Sequence, residues 1–202
     1  MKIMLRYDGK FFRILEIVTA FFQLNVIWLL LCIPVITIFP ATVAMYCVTR
    51  QWILHKDFSV FRPFFQYFKE NFKQSFGLGI LWIVFCGLFA IDFILLKNVG
   101  SFQYILFPVL FLMGFLILFT SIFIFPTIAN YNVNWLHAIK NSLFFSIRYL
   151  LTTLTAILYI GLMALILFKW PITFLFIFSL GAYSIYFLCH RVFTKIHLVK
   201  SS

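Results

Sequence analysis

The sequence predicts an all-α fold: a polytopic membrane helix bundle of about six transmembrane helices. The second of these is short, and two cytoplasmic amphipathic elbow helices join the spans. Three observations predict it. First, 64% of the 202 residues are hydrophobic and only 10% are charged, with a mean hydropathy of +1.08. A soluble domain carries roughly 25% charged residues and could not hide so large an apolar share from water. Second, the apolar residues fall in runs close to the ~20 residues that carry a helix across hydrocarbon. Third, sixteen Lys and Arg against five Asp and Glu give a net charge of +11, and the basic residues are clustered between the runs. The 22% aromatic content excludes a disordered chain. No linker, low-complexity tract or shift in composition divides residues 1–202, so a single integral membrane domain is expected.

The elements follow in order. Long apolar runs occupy 17–39, 76–96, 102–125 and 149–168, and a fifth, 171–188, follows after only Lys169 and Trp170. Between the first two lies 41–55, whose apolar part rises about 21 Å as a helix and contains Thr42, Thr49 and Arg50. Charge decides how to read this stretch. If it crosses, groups of four, five, two and three basic residues lie on one side, and only Lys97 and Lys169 lie on the other. If it does not, the split falls to six against ten. The positive-inside tendency prefers fourteen against two. It therefore places both termini in the cytoplasm, with Lys2, Arg6, Lys10 and Arg13 ahead of the first span. A short second crossing is expected to be tilted or shielded by its neighbours, with Arg50 snorkelling to the inner interface. Pro34 and Pro40 bracket the outer hairpin, because proline removes a donor and disfavours helix before it. Pro34, Thr37 and Pro40 are candidate hairpin residues, and Pro126 is expected to end the fourth span. The tripeptide Ile38–Phe39–Pro40 recurs as Ile124–Phe125–Pro126, on the opposite face in this topology.

The two inner loops are amphipathic. Phe58, Phe61, Phe65, Phe68 and Phe72 recur at 3,4,3,4 spacing, which puts five rings on one helical face. Arg62, Lys69 and Lys73 fall elsewhere, and Pro63 suits a first turn. Such a helix lies in the membrane interface, rings in the acyl boundary and charges in water. Phe61, Phe65, Phe68, Lys69, Phe72 and Lys73 are thus candidates for docking a cytoplasmic partner. The second elbow covers 135–148, with Leu136, Ile139, Leu143 and Ile147 as its stripe.

Little catalytic chemistry is available. Cys32, Cys47, Cys86 and Cys189 are dispersed and read as free thiols. The histidines lack the carboxylate or thiolate partners of a metal centre, so no metal, cofactor or catalytic residue is expected. Walker A, H-E-x-x-H and G-x-S-x-G patterns do not occur. The basic charge has no soluble module to present it, which excludes nucleic acid as a partner. Asp92 stands apart as the one acid inside a predicted span. An intramembrane acid is a functional candidate by default, because burying it costs roughly 2.5–3.5 kcal/mol on insertion scales. Asn25, early in the first span, is read first as glue between helices and second as a ligand contact.

One stretch resembles a known family. Asn25-x-x-Trp28-Leu29, followed by Cys32-x-Pro34-Val35-x-Thr37-x-x-Pro40-Ala41-Thr42-x-Ala44, is similar to the start of YesL-like bacterial membrane proteins. Phe64-Phe65-x-x-Phe68-Lys69-Glu70-Asn71-Phe72-Lys73-Gln74 resembles that family's first cytoplasmic elbow, and Asp92 falls where an acid is often seen after it. At Phe39 the chain departs from the small residue of the family pattern. The resemblance implies a bacterial cytoplasmic-membrane protein associated with carbohydrate uptake through ABC-type sugar importers, and supplies no catalytic residues. The expected function is therefore a transport-associated accessory protein rather than an enzyme. Its expected partners are the lipid bilayer, importer components and further copies of itself. The alternative is a stand-alone small secondary transporter or channel using Asp92.

Overall fold

The computed structural model describes residues 10–95, 103–131 and 134–200. Lys2, Arg6 and Lys97 lie outside the described residues. Within them the chain is helical. Helix α1 is Lys10–Cys32, followed by a 3-10 turn at Val35–Thr37. Then come α2 (Ile38–His55), α3 (Phe61–Leu95) and α4 (Gln103–Asn130). Next are α5 (Trp135–Arg148), α6 (Leu150–Lys169), a 3-10 turn at Pro171–Leu175, and α7 (Ile177–Lys200). The all-α bundle is the fold that the composition demanded. By length and apolarity, α1, α3, α4 and α6 each suffice to cross a membrane.

Helix α2 is the centre of the molecule. It is only 18 residues long, about 27 Å, yet Val43, Ala44, Val48 and Thr49 are fully buried and Trp52 nearly so. Its neighbours are α1, α3, α4 and α7. That explains how a short helix with two threonines and an arginine is tolerated: protein, not lipid, surrounds it. At the opposite extreme, α6 fully buries only Thr153 and Ala156 and exposes Leu151, Leu154, Leu158, Leu162, Leu165 and Phe168.

Side-chain contacts fix the chain directions. Asn25 meets Ser179 and the Phe21 ring meets Tyr183, so α1 runs against α7. Tyr159 bonds Ser184, so α6 also runs against α7. Tyr67 bonds Gln51 and Gly79 lies against Phe39, so α2 runs against α3. Gly114 lies against Phe89, so α3 runs against α4. These directions bring Arg13, Arg50, Arg62, Lys140, Arg148, Arg191 and Lys195 toward one end of the bundle and leave Lys169 at the other.

The structure corrects several expectations. The first elbow is not a separate helix. It is the opening half of α3, a continuous 35 residues, about 52 Å. Nothing between Lys73 and Phe76 is a strong helix breaker, and extending a helix is easier than starting one. The ring face, read as lying in the acyl boundary, is turned away from the bundle at its start. Val60, Phe64, Ser75, Leu78 and Gly79 are buried, whereas Phe61 and Phe65 are 57% and 43% exposed. The second elbow has its predicted bounds, and the ends of its stripe are turned outward in the same way. Ala138, Ser142, Phe145 and Ser146 face inward, and Leu136 and Ile147 face out. Small inward residues let α5 approach the end of α4 closely, and the bulky stripe remains for the bilayer.

Proline positions also differ. Helix α2 restarts at Ile38, which puts Pro40 inside its first turn, where a missing N–H is harmless. Helix α4 continues through Pro126 to Asn130 and also contains Pro108. Prolines persist inside membrane helices where neighbours and local adjustments satisfy the freed backbone. The two Ile-Phe-Pro tripeptides, expected on opposite faces, meet. Phe125 lies 5.6 Å from Phe39 and 5.8 Å from Tyr46, two turns further along α2. Finally, the run 171–188 does not form one helix. Its start is the 3-10 turn, and α7 proper begins at Ile177.

Candidate functional site

Asn25 holds that break in place. It is fully buried on α1. Its Nδ2 donates to the Phe174 carbonyl at 2.9 Å, and its Oδ1 accepts from the Ser179 amide at 3.1 Å. The Ser179 hydroxyl donates in turn to the Phe21 carbonyl at 2.9 Å. One side chain thereby satisfies a carbonyl of the 3-10 turn and an orphan amide in the first turn of α7. Nearby, Trp28 Nε1 donates to Thr42 Oγ1 at 3.1 Å, joining α1 to α2, and the Trp28 ring packs 4.8 Å from Phe178. Asn25 is thus committed to backbone partners.

The hairpin residues divide by role. Pro34 is exposed at the break after α1. Thr37 Oγ1 donates to the Pro34 carbonyl at 2.7 Å and also reaches the Leu31 carbonyl, closing the turn. Pro40 is buried. Phe39 fits because its ring lies over Gly79: a Cβ there would stand 3.0 Å from Phe39 Cγ. A glycine on α3 thus makes room for the residue that departs from the family pattern.

The docking residues keep an exposed side. Phe61, Phe65, Lys69 and Lys73 are exposed, while Phe68 and Phe72 are half-buried. The rings form a ladder along the helix: Phe64 to Phe68 at 6.4 Å, Phe68 to Phe72 at 5.4 Å, Phe72 to Phe76 at 5.9 Å. Ahead of it, Asp57 organises the turn into α3. Its carboxylate accepts from the Ser59 amide at 3.0 Å and from Gln51 Nε2 at 2.7 Å. Those bonds, the Ser59 amide foremost, hold its carboxyl below the usual carboxylate range. Lys56, at φ 58°, supplies the left-handed C-cap of α2 that allows this reversal.

Asp92 sits near the end of α3 and is exposed, as are Ile91, Phe93, Ile94 and Leu95 around it. It belongs to an arm. Residues 80–95 run on past Gly79, where α2 begins, and pair with the first half of α4 through Phe89 and Gly114. Both helices of the arm expose apolar side chains, including Ile83, Val84, Val109 and Leu112.

A cavity of about 460 Å³ lies between α2, α4, α6 and α7. Its lining is apolar apart from Thr42, Tyr46 and Ser121. The Thr42 and Ser121 hydroxyls already bond the carbonyls of Ile38 and Ile117 at 2.7 and 2.8 Å. It suits an acyl chain or an apolar side chain. A sugar there would strand its hydroxyls without partners.

Sequence reasoning missed a polar cluster at the basic end. Arg50 does not reach outward from α2. It is half-buried with its Nε enclosed and without a hydrogen-bond partner, and its guanidinium lies against the Tyr186 hydroxyl. Tyr186, fully buried, donates to Asn130 Oδ1 at 3.1 Å and stacks on His190, with ring centroids 6.1 Å apart. The available signal was the i, i+4 pairing of Tyr186 with His190, one face of α7 that carries polar groups inward.

Comparison with known proteins places this geometry. The family described as "Protein of unknown function, DUF624" matches residues 21–93, from α1 through Asp92. The Uncharacterized protein YteU of Bacillus subtilis is 31% identical over 151 residues, covering 73% of this chain and 68% of that protein. The Uncharacterized protein YesL of the same organism is 29% identical over 161 residues, covering 77% of this chain and 75% of that protein. No solved structure matches.

Proposed function

The chain belongs to the YesL-like family of membrane proteins, and from that premise we propose that it is a transport-associated accessory protein that docks on components of an ABC-type sugar importer. Its place is the bacterial cytoplasmic membrane, crossed six times, with the basic end and both termini in the cytoplasm. The clustering of basic residues at one end of the bundle supports this orientation.

The observation that carries the accessory reading is the exposed position of Asp92 on the arm. An acid on a helix surface surrounded by exposed Ile91, Phe93 and Ile94 is costly against lipid and inexpensive against a partner helix that offers a donor or a cation. The cavity, by contrast, is apolar and lies apart from Asp92, which is not among its lining residues. That arrangement favours an assembly face over a substrate path through a single chain. The exposed Phe61, Phe65, Lys69 and Lys73 give the cytoplasmic end a second docking surface.

Affinity purification from native membranes followed by mass spectrometry tests the proposal. The tagged protein is expected to recover an ABC permease or its substrate-binding protein, and Asp92→Asn to deplete that partner at unchanged membrane abundance. Recovery of a homo-oligomer alone, which moves solute in liposomes, would overturn it in favour of the stand-alone transporter.

A further inference from the structure

Helix α5 passes into α6 at Tyr149, and there a groove of about 610 Å³ opens between the start of α6 and the basic end of α7. Thr152 and Thr155 line it from α6, and His190, Arg191 and Lys195 from α7. No acidic residue is among the lining. Arg191 and Lys195 are four residues apart, so both charges stand on one face of α7. The Arg191 guanidinium is seated over the Phe187 ring at 4.6 Å, which limits its freedom before any ligand arrives. Helix α6 starts beside the groove, without a side-chain cap.

Two cations beside the Thr152 hydroxyl are the chemistry of a phosphate site; the Thr155 hydroxyl is already spent on the Thr152 carbonyl at 2.9 Å. The neighbouring surface indicates the source of the phosphate. The groove includes Leu151, and the α6 surface continues from it as Leu154 and Leu158; the three are 81%, 51% and 75% exposed. Their 3,4 spacing forms an apolar stripe leading from the basic end toward the middle of α6. A soluble phosphate has no use for that stripe; an acyl chain does. We propose that this groove binds an anionic phospholipid, its phosphate between Arg191, Lys195 and Thr152 and one acyl chain along Leu151, Leu154 and Leu158.

Native mass spectrometry of the detergent-purified protein, titrated with phosphatidylglycerol or phosphatidylcholine of matched chains, tests this. Phosphatidylglycerol is expected to bind about tenfold more tightly, as two nearby cations allow. Arg191→Gln with Lys195→Gln should reduce it to the phosphatidylcholine level, while Lys69→Gln with Lys73→Gln should leave the preference intact. Should the first pair fail to fold, Lys195→Gln alone, at an exposed side chain, is expected to lower the preference about threefold. Equal binding of the two lipids by the native protein, or a preference that survives these changes in the groove, would overturn the proposal. Displacement of phosphatidylglycerol by an equal concentration of inorganic phosphate would assign the site to a soluble anion and overturn it equally.

Discussion

Asn25 shows how much one polar side chain can decide inside an apolar bundle. The Phe174 carbonyl and the Ser179 amide both bond to it. Asn25→Leu keeps the approximate volume and removes both bonds. It is expected to destabilise the protein by about 1–3 kcal/mol, read as a lower thermal midpoint in detergent together with faster hydrogen exchange at Ser179. Thr19→Val provides the contrast, because its hydroxyl bonds only the Leu15 carbonyl within its own helix and is exposed. That change should stay within about 0.5 kcal/mol. Asn25 was legible in the sequence as glue, since an amide in a long apolar run needs a partner. Its partner was not legible, because the 3-10 turn lies 149 residues away and resembles ordinary apolar span. Arg50 was hidden for a related reason. A lone cation near a span end reads as snorkelling, and only the packing of α2 against α7 turns it inward to Tyr186.

At the scale of elements, apolar runs and periodicity located most of the helices but did not show which residues of α3 and α5 face the bundle. In α3 and α5 the most apolar stripe was read as the interfacial face, whereas the logic of soluble helices would make it the packed one. In a bilayer that logic weakens, because lipid accepts Phe61, Phe65, Leu136 and Ile147 as readily as a core does. Close approach between helices is instead decided by small residues, and Gly79 is the clearest case. A Cβ at Gly79 meets the root of the Phe39 side chain at 3.0–3.1 Å, whereas one at Gly77 meets nothing within 4 Å. Gly79→Ala should therefore destabilise by about 1–3 kcal/mol. Gly77→Ala should be neutral or stabilising by up to about 1 kcal/mol, from helix propensity alone. Opposite signs in paired thermal-unfolding measurements are the expected result; equal effects would mean that Phe39 does not rest on α3.

For the whole molecule, charge and hydropathy give different readings of one segment. Apolar length alone demoted the segment that became α2, while the distribution of sixteen basic residues promoted it to a crossing. The structure makes α2 the buried centre of the bundle and turns the basic helix ends toward one side of it. What the sequence could not convey is that α3 outruns α2, leaving a two-helix arm with Asp92 on its surface, because the relative lengths of packed helices depend on where they meet. The central claim is that this buried centre is a membrane crossing and that the basic end is cytoplasmic. Cysteine-accessibility labelling in a background without native cysteines tests it most directly, with single cysteines at positions 69, 140, 169 and 195. Positions 69, 140 and 195 should react with an impermeant reagent only after the cytoplasmic face is opened, and position 169 should react in intact cells. Labelling of position 69 from outside, with 169 protected, would contradict the account.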